Sequence, residues 1–238
     1  MHEEWVEYRD GDRICEGFFA WEPVAGKRPC VIVCHAWGGQ GDTEREKARE
    51  LARLGYVGFA IDVYGKGRRG DPLQGNERLM QPWLDDRAAL RRALLAGLDC
   101  AARHQQVDER RVAALGYCFG GLCALDLARA APAGLRAVVT FHAVLTPPRL
   151  GAQPPIDASV LVLHGFEDPV APAADVLALA RELTAAGADW QVHVHGHAMH
   201  AFSFPGANLP HLGIRYDANA ASRSAAAADD FLRAALAG

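Results

Sequence analysis

One stretch, Leu115-Gly116-Tyr117-Cys118-Phe119-Gly120-Gly121, constrains the fold of this chain more than any other. It reads G-x-C-x-G, the pattern of a sharp strand-to-helix turn that lifts a nucleophile out of the end of a sheet. An apolar, strand-like run, Arg111 to Leu115, precedes it, and a helix-like run, Leu122 to Arg129, follows it. The small Gly116 and Gly120 let strand and helix come close. The N–H groups that open the helix then face whatever Cys118 attacks.

The flanks repeat that alternation. Residues 3–22 read as an antiparallel hairpin turning at Asp10-Gly11-Asp12. Cys30 to Cys34 is a continuous apolar run, as expected of a strand buried on both faces. It ends in the glycine-rich His35-Ala36-Trp37-Gly38-Gly39-Gln40-Gly41, where backbone N–H groups can approach a substrate. A helix follows to about Leu54, with Thr43 as cap and Glu46 completing a capping box. Val57 to Val63 reads as a second buried strand, and residues 64–82, with Lys66, Arg68 and Arg69, as a long loop. A helix over about Trp83 to His104 presents Leu84, Ala88, Leu95, Leu98 and Ala102 on one face. Ala137–Phe141, Val160–His164 and Trp190–His195 read as strands, and 173–186 and about Ala220–Ala237 as helices. The expected class is α/β, a mostly parallel doubly wound sheet flanked by helices, in one domain over 1–238.

Composition narrows the partners. A net charge of −4 is too mild to suggest nucleic acid or an anionic membrane surface. Met1-His2-Glu3-Glu4-Trp5 is too polar for a signal peptide, and no run reaches transmembrane length, so a cytoplasmic protein is expected. The six cysteines are scattered rather than paired as C-x-x-C, which argues against a disulfide framework. Five of them read as small buried hydrophobes, leaving Cys118 as the reactive one.

A thiol nucleophile needs a base, and the base needs an orienting group. Asp168, just past the strand ending near His164, is the better placed acid beside Glu167, because the following proline stiffens its turn. Four histidines, His193, His195, His197 and His200, cluster within eight residues. His193, His195 and His197 at period two also read as a metal site, which would make the chain a metal-dependent hydrolase. No carboxylate stands among them. His200 lies farthest into the loop and is the candidate base.

These pieces together resemble the dienelactone hydrolase family of α/β-hydrolases. The matching stretches are Pro29–Gly39, Gly55–Tyr64, the elbow Gly116–Gly121, the turn around Asp168, and Gly196–Phe202 around His200. The resemblance implies an α/β-hydrolase fold and a Cys118–His200–Asp168 triad. It also implies hydrolysis of small lactones or esters without a cofactor. The family's oxyanion donors carry over to the backbone N–H groups of Trp37 and Phe119. Two positions depart from the family: Ala36 stands where its best-known members carry a thiol-gating glutamate, and Phe204 where they carry a carboxylate-binding arginine. Ala36, Phe204 and Arg78 are the candidate substrate contacts, with Arg68 and Arg69 as other arginines that could meet a carboxylate. The departures predict neutral, apolar substrates such as aryl esters, and a resting thiolate open to activated phosphotriesters. A catalytically silent ligand-binding protein on the same fold is the reading from another class.

Overall fold

The computed structural model describes residues 1–71 and 75–237. Eight strands form one sheet in the order β1-β2-β4-β3-β5-β6-β7-β8. β1 (His2–Asp10) and β2 (Arg13–Trp21) make the expected hairpin, and β2 lies antiparallel to β4 (Val57–Ala60). From β4 onward every neighbour is parallel: β3 (Arg28–Cys34), β5 (Val107–Tyr117), β6 (Leu135–Phe141), β7 (Ser159–Gly165) and β8 (Trp190–His195). Parallel strands need crossovers, and the helices that provide them cover both faces. α1 (Asp42–Arg53) and α6 (Ala218–Leu236) cover one face. α2 (Glu77–Asp85), α3 (Arg87–Arg103), α4 (Phe119–Ala130) and α5 (Ala173–Ala185) cover the other. The central strands read as unbroken apolar runs because side chains on both of their faces are buried.

Several local expectations are corrected. α1 starts two residues earlier than the Thr43 cap implies: Gly41 is its cap, and Glu44, not Glu46, reaches back to the cap N–H at 2.8 Å. Glu46 instead pairs with Arg49 and Arg53 on the exposed face. β4 stops at Ala60, short of Val63, because the chain turns on the buried Asp62 carboxylate. That carboxylate accepts from the N–H groups of Glu16 and Gly65, each at 3.0 Å. The loop expected over 64–82 gives way to α2 at Glu77, and its residues 72–74 lie outside the described residues. The single helix expected over 83–104 is two helices. Asp86 leaves helical geometry (φ −120°, ψ 80°) and caps α3 by accepting from the Ala89 N–H at 2.8 Å.

All six cysteines are free. Cys15, Cys30, Cys34 and Cys123 are buried, but Cys100, expected among them, is half-buried. Among the described residues no helix is long and apolar enough to cross a membrane.

A buried charge network fixes the segment that follows β6. Arg87 grips Asp126 with two bonds, at 2.7 and 2.8 Å. Arg129 bridges Asp126 and Glu182, at 3.2 and 2.6 Å. Both guanidiniums donate to the Thr146 carbonyl, and Arg129 also to that of Leu145. Asp126 is 2 % exposed and Arg129 3 %, so neither arginine could be left unpaired cheaply. Asp126→Ala strands the buried Arg87 and leaves Arg129 to Glu182 alone, and urea denaturation should show a loss of about 3–5 kcal/mol.

Candidate active site

β5 runs into α4 through a single residue, Cys118, with φ 55° and ψ −116°. Such a conformation in a non-glycine residue costs about 1–3 kcal/mol and persists only where the surroundings enforce it. Glycines do so here. A Cβ on Gly116 would lie 2.1 Å from the Gly120 carbonyl oxygen, and one on Gly120 would lie 2.1 Å from that of Cys34. The Cys118 N–H donates to Phe141 O at 3.1 Å, and its carbonyl accepts from Gly121 at 3.0 Å. Phe119 opens α4, and a first-turn N–H has no acceptor within its own helix.

Asp168 is buried past the end of β7. Its Oδ1 accepts from the Val170 N–H and its Oδ2 meets His200 Nδ1, both at 2.8 Å. An ionised carboxylate only accepts, so Nδ1 carries the proton and Nε2 points away from Asp168. Burial pulls the His200 imidazolium down. The hydrogen bonds to Asp168 and Cys118, and then the Cys118 and Asp168 charges, outweigh it and lift the group to about 10. Structure brings Cys118, His200 and Asp168 together from the ends of three separate strands, the usual position for sites on parallel sheets.

Two supports of His200 carry no sequence signal. The first is a small ribbon, β9 (Asn208–Leu209) and β10 (Ile214–Arg215), joined by a short 3-10 turn at Pro210–Leu212. The His200 N–H donates to Gly213 O at 2.9 Å, and His200 O accepts from Arg215 at 3.1 Å. The second is His142, just past β6 and buried, with φ 38°. Its ring stands edge to face with that of His200 at 5.2 Å, and its Nε2 lies 2.8 Å from Ser203 Oγ. Burial, and then the His200 charge, push His142 well below the ordinary histidine range, so it stays neutral.

The glycine-rich loop after β3 lies against the elbow. Tyr64 Oη donates to Trp37 O at 3.0 Å, and the Tyr64 ring stacks on Phe119 at 5.8 Å. The Gly70 N–H donates to Gly38 O at 2.8 Å. Ala36, Trp37 and Phe204 are half-buried. Arg78 is exposed in the first turn of α2, and Arg68 is exposed as well. Arg69 is committed elsewhere, to Asp62 Oδ1 at 3.3 Å and to the Gly65 and Arg68 carbonyls.

The remaining histidines diverge. His195 Nε2 meets Ser224 Oγ of α6 at 2.8 Å. His197 leans to Glu167 Oε1 at 3.0 Å, and His193 is exposed on β8. Among the described residues no group of three or more His, Cys, Asp or Glu side chains is placed to hold a metal. The metal reading of His193, His195 and His197 therefore has no geometric support.

Residues 16–236 match the dienelactone hydrolase family. The chain belongs to that family. It is a dienelactone hydrolase-like hydrolase with the α/β-hydrolase fold. A solved dienelactone hydrolase-like promiscuous phosphotriesterase from metagenomic libraries superposes with a TM-score of 0.93. It is 38% identical, with 99% of each chain covered. An uncharacterized protein of Caenorhabditis elegans is 38% identical over 155 residues, 64% of this chain and 98% of that one. The carboxymethylenebutenolidase of Pseudomonas putida is 26% identical over 208 residues, 85% of this chain and 87% of its own.

Asp168→Asn removes the charge and weakens the acceptor that hold His200 protonated. The midpoint of the His200 imidazole, followed by NMR, should fall from about 10 by at least about one unit. In the wild type the stabilisation from this pair is complete below about 6.5, the ordinary histidine value, and is lost as pH rises through the folded-state value. Asp168→Asn should flatten that alkaline decline in thermal stability.

Proposed function

We propose that this enzyme hydrolyses neutral lactones and aryl carboxylic esters through a covalent thioester on Cys118, with His200 and Asp168 completing a triad. The observation that carries the reading is the Asp168 Oδ2–His200 Nδ1 bond at 2.8 Å, with Cys118 close enough to act electrostatically on the same imidazole. The resting state is a thiolate beside an imidazolium, with no carboxylate at position 36 to compete for it.

The thiolate attacks the carbonyl carbon, and the resulting oxyanion is met by the Trp37 and Phe119 N–H groups. One such donor typically lowers the barrier by about 3–4 kcal/mol. The C–O bond then breaks, and His200 gives its proton to the departing alkoxide. Water enters, passes a proton to His200 and attacks the thioester. The C–S bond breaks, the carboxylic acid leaves and the thiolate is restored.

The neutral preference rests on Trp37 and Phe204 near the site and on the commitment of Arg69 to Asp62. The same thiolate can attack the phosphorus of an activated phosphotriester, a reading favoured by the solved phosphotriesterase relative. We place the enzyme in the cytoplasm, where unpaired thiols are kept reduced.

The direct test is p-nitrophenyl ester hydrolysis by wild type and Cys118→Ala, with and without EDTA. Cys118→Ala should lose at least about a thousandfold in kcat, and EDTA should change nothing. Activity that survives Cys118→Ala but dies with EDTA would overturn the thiol mechanism. A wild type inert towards every activated ester and towards paraoxon would leave a binding protein instead.

A further inference from the structure

The peptide that carries the Trp37 N–H is the one between Ala36 and Trp37, and a peptide group is planar. Whatever fixes the direction of the Ala36 carbonyl therefore fixes the opposite direction of the Trp37 N–H. The Gly39 N–H donates to that carbonyl at 3.1 Å within the loop, and His35 holds it from outside the loop. Its Nε2 accepts from the Val63 N–H at 3.2 Å, so its single proton sits on Nδ1, which points at Ala36 O at 2.8 Å. Burial keeps this imidazole neutral, which preserves the acceptor at Nε2. Donation into the carbonyl also polarises the peptide and makes its N–H a better donor.

Glu44 acts on the other side of the same unit. As the third residue of α1 it caps the helix through the Gly41 N–H at 2.8 Å, which is ordinary capping. Its other oxygen crosses the loop and accepts from the Ala36 N–H at 3.3 Å. One buried carboxylate thus ties both ends of the segment Ala36–Gly41. Capping alone gives no reason for the second bond.

We infer that His35 and Glu44 are positioning residues for the oxyanion hole, clamping the Ala36–Trp37 peptide from its carbonyl and from the preceding N–H. The inference rests on the reading of Cys118 and Trp37 given above. Neither residue touches substrate. Both act through the direction of one backbone N–H.

The test separates steps that use the oxyanion hole from one that does not. Ester hydrolysis passes through an oxyanion, whereas alkylation of Cys118 by iodoacetamide is displacement at a saturated carbon and reads only the thiolate. His35→Phe keeps a ring against Tyr64 and Phe119 but removes the donor. It should lower kcat for p-nitrophenyl acetate about 10- to 100-fold, with KM and the alkylation rate each within about twofold of wild type. His35→Gln, which can both donate and accept, should recover most of the loss. Glu44→Ala should show the same split at about 5- to 10-fold.

Hydrolysis within twofold of wild type in both His35→Phe and Glu44→Ala would reduce the two residues to packing and helix capping. Parallel loss of hydrolysis and alkylation would mean that the whole site had collapsed, and would equally overturn the inference. Wild type that still hydrolyses ester after stoichiometric alkylation of Cys118 would sink the thiol reading itself, an outcome visible before any variant is made.

Discussion

The rest of the site hangs on how closely α4 presses against the ends of β3 and β5. A Cβ on Gly120 would sit inside the Cys34 carbonyl, and one on Gly116 inside that of Gly120, so the crossing tolerates no side chain at either point. That approach holds Cys118 at φ 55°, where the chain turns from β5 into α4. It also brings the first turn of α4 beside the loop that leaves β3. Loosening of this contact would move Cys118 and the proposed oxyanion donors at once. Strain of about 1–3 kcal/mol at one residue is small beside the burial of the four central strands, which holds it in place.

Around that fixed point the partners are held by different devices. Asp168 sits in a turn stiffened by Pro169 and by its own bond to the Val170 N–H. His200 lies in a long connection, and the β9–β10 ribbon and the edge of His142 keep it from wandering. The glycine-rich loop has little intrinsic rigidity. His35, Tyr64 and Glu44 supply it from three directions. For the proposed mechanism rigid donors matter, because an oxyanion hole works by being in place before charge develops.

How much of this could be read from the chain follows from the range of each interaction. The parallel strands were legible because burial on both faces leaves continuous apolar runs at Cys30–Cys34, Ala137–Phe141 and Val160–His164. That Cys118, Asp168 and His200 meet was legible because each follows a strand and carries chemistry that fits the others. The cap of α1 was misplaced because Thr43 and Glu46 satisfy the local pattern as well as Gly41 and Glu44. Only the distant Ala36 N–H and the arginines on the exposed face divide the two carboxylates. The break at Asp86 was hidden by apolar spacing that continues through it. His142 and the β9–β10 ribbon gave no signal, since their importance lies in what they touch across the sheet. Arg69 looked available beside Arg68, and only the fold shows it turned onto Asp62.

The charge balance of the site bears on what it accepts. In the proposed resting state one cation, His200, lies between two anions, Asp168 and Cys118. Burial pushes both His142, whose ring meets that of His200, and His164 below the ordinary histidine range, so neither adds a compensating charge. Arg69 is spent on Asp62, and position 204 holds an apolar ring. The cluster therefore carries a net charge of about −1. At an effective dielectric of about 20, a substrate carboxylate about 7 Å away would be disfavoured by about 2 kcal/mol, some thirtyfold in binding. A neutral ester meets no such penalty, and in the proposed mechanism the charge that develops on it falls beside two backbone donors rather than beside the anions. The proposed preference for neutral substrates thus follows from this charge balance and from the commitment of Arg69 to Asp62.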